Sequence, residues 1–195
     1  MRRSAKVART TSETDITVTL GLDGDGTTAV VTGVPFFDHM LDAFGRHGLF
    51  ALDVAAVGDL AVDAHHTVED VGICIGTAIA EALGDRRGIR RFGSATVPMD
   101  EALVLASVDI SGRGQCHYSV ELPIEIIGTF DTTLAREFLI ALATNAGLTL
   151  HVRSLAGENS HHIIEAVFKA VARALAEAVS LDPRVSGVPS TKGAL

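Results

Sequence analysis

Cysteine is scarce: Cys74 and Cys116 are the only two in 195 residues. Two thiols cannot form a disulfide scaffold, and both stand in apolar or strand-like settings, so both are expected to be reduced packing residues. Long apolar runs are missing as well. Nothing approaches the roughly 18 apolar residues of a membrane span. Met1-Arg2-Arg3-Ser4-Ala5-Lys6 is basic, but no apolar stretch follows it, which argues against a secretory signal. A soluble cytoplasmic protein with no membrane partner is the expectation. There is no basic excess either. The net charge is −8, so the broad electrostatic footprint of a nucleic-acid binder is absent, although a local basic pocket for a phosphorylated metabolite is compatible with that balance. No Gly-x-x-x-x-Gly-Lys loop occurs, which argues against ATP. The His-Glu-x-x-His word of zinc proteases is absent too.

What the chain does have is one short word written twice. His65-His66-Thr67-Val68-Glu69 opens one amphipathic stretch, and His161-His162-Ile163-Ile164-Glu165 opens another, 96 positions on. Histidine and carboxylate at this spacing are ligands of first-row metals. Two copies suggest an internal duplication that builds a two-metal site.

The hydrophobic patterning repeats with the words. Residues 15–22 alternate as a strand, Gly24-Asp25-Gly26 turns, and Ala29-Val30-Val31 begins the return. Phe37, Met40, Leu41 and Phe44 fall at helical spacing, and Leu49 to Val57 reads as a strand. The first His-His word then starts a helix running through Leu83. In the second half, 102–110 and His117 to Leu122 read as strands and Leu134 to Ala143 as a helix. Leu148 to Val152 is again strand-like, and the second word starts a helix through Val179. Each half is therefore strand–strand–helix–strand–helix. The expected class is α+β, an internally duplicated two-layer sandwich. The halves are assigned to 1–93, with an N-terminal arm, and 94–182. Residues 183–195 form a tail expected to dock or to bind substrate.

On a helix, residues four apart share a face, so His65 and Glu69 point together, as do His161 and Glu165. His66 and His162 are rotated by roughly 100°, so one helix can feed two metals. His39 lies 26 positions before His65, and Glu137 lies 24 before His161. The duplication makes both candidate further ligands. Mixed imidazole and carboxylate donors without thiolate suit manganese, iron or zinc rather than magnesium or calcium.

Cations gather beside glycines. Gly88-Ile89-Arg90-Arg91-Phe92-Gly93 and Ser111-Gly112-Arg113-Gly114 hold arginines on turns, where a guanidinium fork can grip phosphate. Lys169 follows Glu165 by one helical turn. Ser190-Thr191-Lys192-Gly193 adds hydroxyls and another cation. Together they favour a phosphate pocket.

These words, with Phe-Phe-Asp-His-Met-Leu at 36–41, Pro-Met-Asp-Glu-Ala at 98–102, Phe-Lys-Ala at 168–170 and the closing Gly-Val-Pro-Ser-Thr-Lys-Gly-Ala-Leu, resemble the imidazoleglycerol-phosphate dehydratase family over nearly the whole chain. The resemblance implies a hydro-lyase of histidine biosynthesis with two manganese ions per active site. It implies a 24-subunit shell with active sites between subunits. It maps metal ligands onto His39, His65, His66, Glu69, His161, His162 and Glu165. It maps substrate contacts onto Glu13, Arg91, Arg113, Lys169, Ser190 and Lys192, and a site-lining carboxylate onto Asp100. Glu137 departs from the pattern, because the family normally carries histidine there.

The substrate of that family joins an imidazole ring to a hydroxylated three-carbon phosphate, and loss of water gives imidazole-acetol phosphate. No carbonyl adjoins the proton to be removed. Metals acting as Lewis acids on the ring would help expel the hydroxyl. Glu13, Asp100 and Glu165 are the candidate bases. Two rivals stand beside this reading. One is a metal-binding oligomeric relative impaired by Glu137. The other is a di-iron carboxylate bundle, which the glycines and repeated strand patterns disfavour.

Overall fold

The computed structural model describes residues 3–193. Met1-Arg2 of the basic start and the final Ala194-Leu195 lie outside the described residues.

The first half runs β1 (Ser4–Thr10), β2 (Thr14–Gly21), β3 (Thr28–Val31), α1 (Pro35–Gly48), β4 (Ala51–Gly58) and α2 (His65–Leu83). The second runs β5 (Phe92–Met99), β6 (Ala102–Asp109), β7 (Gln115–Ser119), a short β8–β9 ribbon (Ile126–Ile127 and Phe130–Asp131), α3 (Leu134–Ala146), β10 (Thr149–Ala156) and α4 (Ser160–Val179). The sheets have matching orders, β1-β2-β4-β3 and β5-β6-β10-β7. In each, the first two pairings are antiparallel and the last strand pairs parallel with the strand after the crossover helix. The duplicated α+β architecture read from the sequence is therefore present. Each main sheet carries one strand more than the pattern announced, the edge strands β1 and β5, and the second half adds the β8–β9 ribbon.

Each sheet turns one face to its helices. The buried side of β2 is Ile16, Val18 and Leu20, and that of β6 is Ala102, Val104, Ala106 and Val108. The helices then pack across the halves, α1 on α4 and α2 on α3. Phe37 of α1 meets Phe138 of α3 edge to face at 5.2 Å, and Phe138 stacks on Phe168 of α4 at 5.3 Å. One continuous core thus runs from sheet to sheet through four helices. α2 crosses α3 closely because Gly72 and Gly76 present no side chain there. A Cβ on Gly76 would lie 2.6 Å from the Leu142 carbonyl oxygen.

The same local chemistry starts both histidine-bearing helices. Asp63 accepts a hydrogen bond from the His65 backbone N–H at 2.8 Å, and Asn159 accepts one from that of His161 at 2.9 Å. An Asx residue two places before each His-His word satisfies a free N–H of the first turn. Both pairs of histidines are thereby fixed at helix starts.

Candidate metal centre

α1 and α4 bring the donors together. His39, from the first half, and His161 and Glu165, from the second, offer ligand atoms that all lie within 4.8 Å of one another. Among the described residues this is the one group of three such donors. Oε2 of Glu165 is 3.5 Å from His39 Nε2 and 3.3 Å from His161 Nε2. Oε1 of the same carboxylate is 2.6 Å from Lys169 Nζ. Phe36 places its ring edge-on to His161 at 5.2 Å and limits how that imidazole can turn. Burial works to raise the Glu165 carboxyl, but the Lys169 hydrogen bond and charge, with His39 and His161, outweigh it and hold the group below its ordinary range. Two imidazoles and one carboxylate oxygen, with no thiolate, form a donor set that fits a first-row divalent ion.

The first half gathers fewer donors. His65 Nε2 and Glu69 Oε2 are 3.5 Å apart and both side chains are half exposed. A cavity of about 290 Å³ opens beside His65, walled by Val34, Asp63, Thr133 and Leu134. Glu137 occupies the place on α3 that His39 occupies on α1. Its carboxylate accepts a hydrogen bond from its neighbour Arg136 at 3.2 Å, and it does not join a three-donor group.

His66 and His162 are held from behind. Asp59 lies 3.0 Å from His66 Nδ1, and Glu101 lies 2.7 Å from His162 Nδ1. The hydrogen bond that His66 donates to Asp59 raises the His66 pKa, and the one that His162 donates to Glu101 raises the His162 pKa. The His162 contact, helped by backbone N–H groups of Asn159 and Glu158, lowers Glu101 to about 2. With Nδ1 occupied, Nε2 of each ring is left for a ligand, the usual arrangement of metal-binding histidines.

The imidazoleglycerol-phosphate dehydratase family model matches residues 32–175, a span that begins before His39 and ends past Glu165 and Lys169. The chain belongs to the imidazoleglycerol-phosphate dehydratase family. The dehydratase of Moorella thermoacetica is 57% identical over 195 residues and the whole of both chains. That of Symbiobacterium thermophilum is 61% identical over 193 residues, 99% of this chain and 93% of its own. The crystal structure of the Staphylococcus aureus dehydratase superposes with a TM-score of 0.84 at 38% identity. It covers 92% of this chain and 99% of that one. The enzyme of Pyrococcus furiosus gives 0.83 at 39% identity, over 97% and 100%. Members of this dehydratase family are hydro-lyases of histidine biosynthesis, and among the described residues no helix is long and apolar enough to cross a membrane.

The remaining positions that the resemblance to the dehydratases marks fall in two places. Glu13 and Asp100 sit near the histidines. Glu13, on the β1–β2 turn, is 3.9 Å from His66, and Asp100, on the β5–β6 turn, is 3.7 Å from His162. Asp100 adopts a left-handed φ of 49°, uncommon for a residue with a side chain. Arg91, Arg113, Ser190 and Lys192 lie elsewhere. The Arg91 N–H bonds to the Ala178 carbonyl at the far end of α4, and its guanidinium is engaged by Asp109 at 2.7 Å and by the Pro189 carbonyl at 2.9 Å. It fastens the tail in place and has less of its fork free for an anion. Among the described residues the Arg113 guanidinium makes one bond, of 3.4 Å to the Ser111 carbonyl, so most of its fork is open. From His161 to Ala178 the α4 axis advances roughly 25 Å at 1.5 Å per residue. One chain therefore keeps its paired histidines and its arginine-and-tail region at opposite ends of α4. Sequence reasoning missed Asp59, Glu101 and Asp109, because each acts through the approach of a distant segment. An acidic residue after Gly58, and the Asp-Glu pair on a tight turn, were the signals available.

Proposed function

We propose that this chain dehydrates imidazoleglycerol phosphate to imidazole-acetol phosphate at a site holding two manganese ions. The observation that carries this reading is the convergence of His39, His161 and Glu165 from two halves of one chain. His39, His161 and Glu165 would hold one ion. His65 and Glu69, with Glu137 nearest in register, would contribute to the other. His66 and His162, oriented by Asp59 and Glu101, supply further nitrogens. When bound, the ions act as Lewis acids that position the imidazole and favour loss of its ring proton.

The chain's own groups account for the rest. Glu165 has one oxygen on Lys169 and the other facing His39 and His161, so it is poorly placed to act as a base. Glu13 and Asp100 are half or more exposed at hairpin turns beside His66 and His162, which suits removal of the carbon-bound proton. The departing hydroxyl takes a proton and leaves as water. Arg113, Ser190 and Lys192 would hold the phosphate, with Arg91 bracing the tail, so that binding energy far from the ring fixes the reacting end.

The substrate is far shorter than the roughly 25 Å between the two ends of α4. A complete site therefore draws its histidines and its phosphate contacts from different copies. This supports a homo-oligomer with sites between subunits, and a shell of 24 copies is the form we propose.

Chelated protein should lose dehydration of imidazoleglycerol phosphate and regain it with manganese. Full turnover in the metal-free state would refute the role of the metal. A second reading, an impaired metal-binding relative, is favoured by the Arg136–Glu137 pairing. Turnover seen only in Glu137→His would establish it.

A further inference from the structure

The two halves are unequal as metal sites, and the inequality sets an order; this rests on the two-metal reading above. α1 ends in a left-handed cap at Leu49, φ 56°, and α3 at Gly147, φ 64°. Aligning these caps pairs His39 with Glu137. Aligning the His-His words pairs His65 with His161, Glu69 with Glu165 and Ile73 with Lys169. The helix crossings agree. Gly72 faces Phe138 and Ala141, and Gly76 faces Leu142 and Asn145, so one turn back Glu137 comes level with Glu69. Among the donors and their charged partners the halves thus differ at two places, His39 against Glu137 and Lys169 against Ile73.

Each difference acts on geometry. In the second half Lys169 takes Oε1 of Glu165, and Oε2 is left toward His39 and His161. Both members of that pair are largely buried, with side-chain exposures of 15% and 10%. Ile73 offers Glu69 no such partner. Glu69 and His65 are 47% and 44% exposed, and the third candidate donor is held by Arg136. A ligand set fixed before the ion arrives binds more tightly than one that must be gathered, because less ordering entropy is lost on binding.

We infer that metal loading is sequential. The His39–His161–Glu165 nest takes the first ion, with Lys169 as the positioning residue that presents one oxygen of Glu165. The His65–Glu69 half takes the second ion more weakly.

The test is a titration of manganese into metal-free full-length protein, following free ion by electron paramagnetic resonance and heat by calorimetry. Two classes of site, one per chain each, should differ by at least about tenfold in affinity. His39→Ala should remove the tighter class and His65→Ala the weaker. Lys169→Met should weaken the tighter class by about 10- to 100-fold. Lys169→Arg should restore most of it, with circular dichroism unchanged across the set. Should His39→Ala fail to fold, Glu137→His provides the second route, and it should lift the weaker class toward the tighter. Two classes of equal affinity, loss of only the weaker class in His39→Ala, or a weaker class unmoved by Glu137→His would overturn the order. Unchanged affinity in Lys169→Met would remove the lysine from it. Absence of any manganese binding would overturn the two-metal reading itself, and the order with it.

Discussion

Gly76→Ala places opposing physical effects in direct competition, and the geometry decides the sign. A helix-interior glycine costs about 1 kcal/mol relative to alanine, so propensity alone predicts a stabilising change. The new methyl, however, would lie 2.6 Å from the Leu142 carbonyl oxygen, 2.9 Å from Asn145 Cβ and 3.1 Å from the Ala146 nitrogen. Carbon contacts are favourable near 3.5–4.0 Å, so the shortfall approaches 1 Å. Two of the three neighbours are backbone atoms, which no rotamer change can move. Relief requires α2 and α3 to part along a buried face. Overpacking of this kind costs about 1–3 kcal/mol. With two of the three neighbours in the backbone, the cost belongs in the upper part of that range, about 2–3 kcal/mol, which exceeds the propensity gain of about 1 kcal/mol and leaves the variant about 1–2 kcal/mol less stable. At roughly 2–4 °C per kcal/mol for a chain of this size, Tm should fall by about 2–8 °C. The assay is thermal unfolding by circular dichroism at matched protein concentration. Gly72→Ala, whose methyl would meet the Phe138 carbonyl oxygen at 2.7 Å, should change in the same direction. A Tm that rises in Gly76→Ala would refute the close crossing, and with it the register that sets Glu137 level with Glu69.

Three further outcomes are expected. Arg113→Ala should raise KM for the phosphorylated substrate by about 10- to 100-fold, the loss of a charged hydrogen bond worth about 1.5–3 kcal/mol, with Tm little changed; an unmoved KM would exclude Arg113 from the phosphate contact. Glu101→Gln should weaken manganese binding by about 10- to 100-fold by loosening His162, and equal affinity would show that the ring needs no such support. Burial pushes the Cys74 and Cys116 thiols up to about 11. Their folded pKa values lie above the unfolded value near 8.5, so the stability they contribute is intact below pH 8.5 and declines as pH climbs toward 11. Denaturation midpoints should track that window, and a thiol reagent at pH 8 should label the chain only after unfolding.

The helices and both His-His words were legible because each depends on neighbours within one or two turns. Phe37, Met40, Leu41 and Phe44 repeat at helical spacing, and all four are fully buried. β5 was not legible, for a physical reason. Gly93 and Ala95 face α4 so closely that a Cβ on Gly93 would meet the Ala174 carbonyl and lie 2.7 Å from the Ala178 nitrogen. Small residues on the inward face erase the alternation that marks a strand. β1 hides similarly, since its inward side includes Arg9, which pairs with Asp70 of α2 at 3.0 Å. At the site, the ligand positions could be read from spacing, whereas Asp59 and Glu101 depend on turns that pass behind the histidines. The reading of Arg91 as a phosphate grip assumed a free fork, which Asp109 and Pro189 largely occupy.

The exchange of helix faces, α1 onto α4 and α2 onto α3, has a historical corollary. A lone ancestral half would have exposed two greasy helices, and a second identical half could have capped them by the same embrace. Fusion of two such halves would tether the partners and free positions 39 and 137, which a symmetric pair would oblige to be the same residue, to diverge into imidazole and carboxylate.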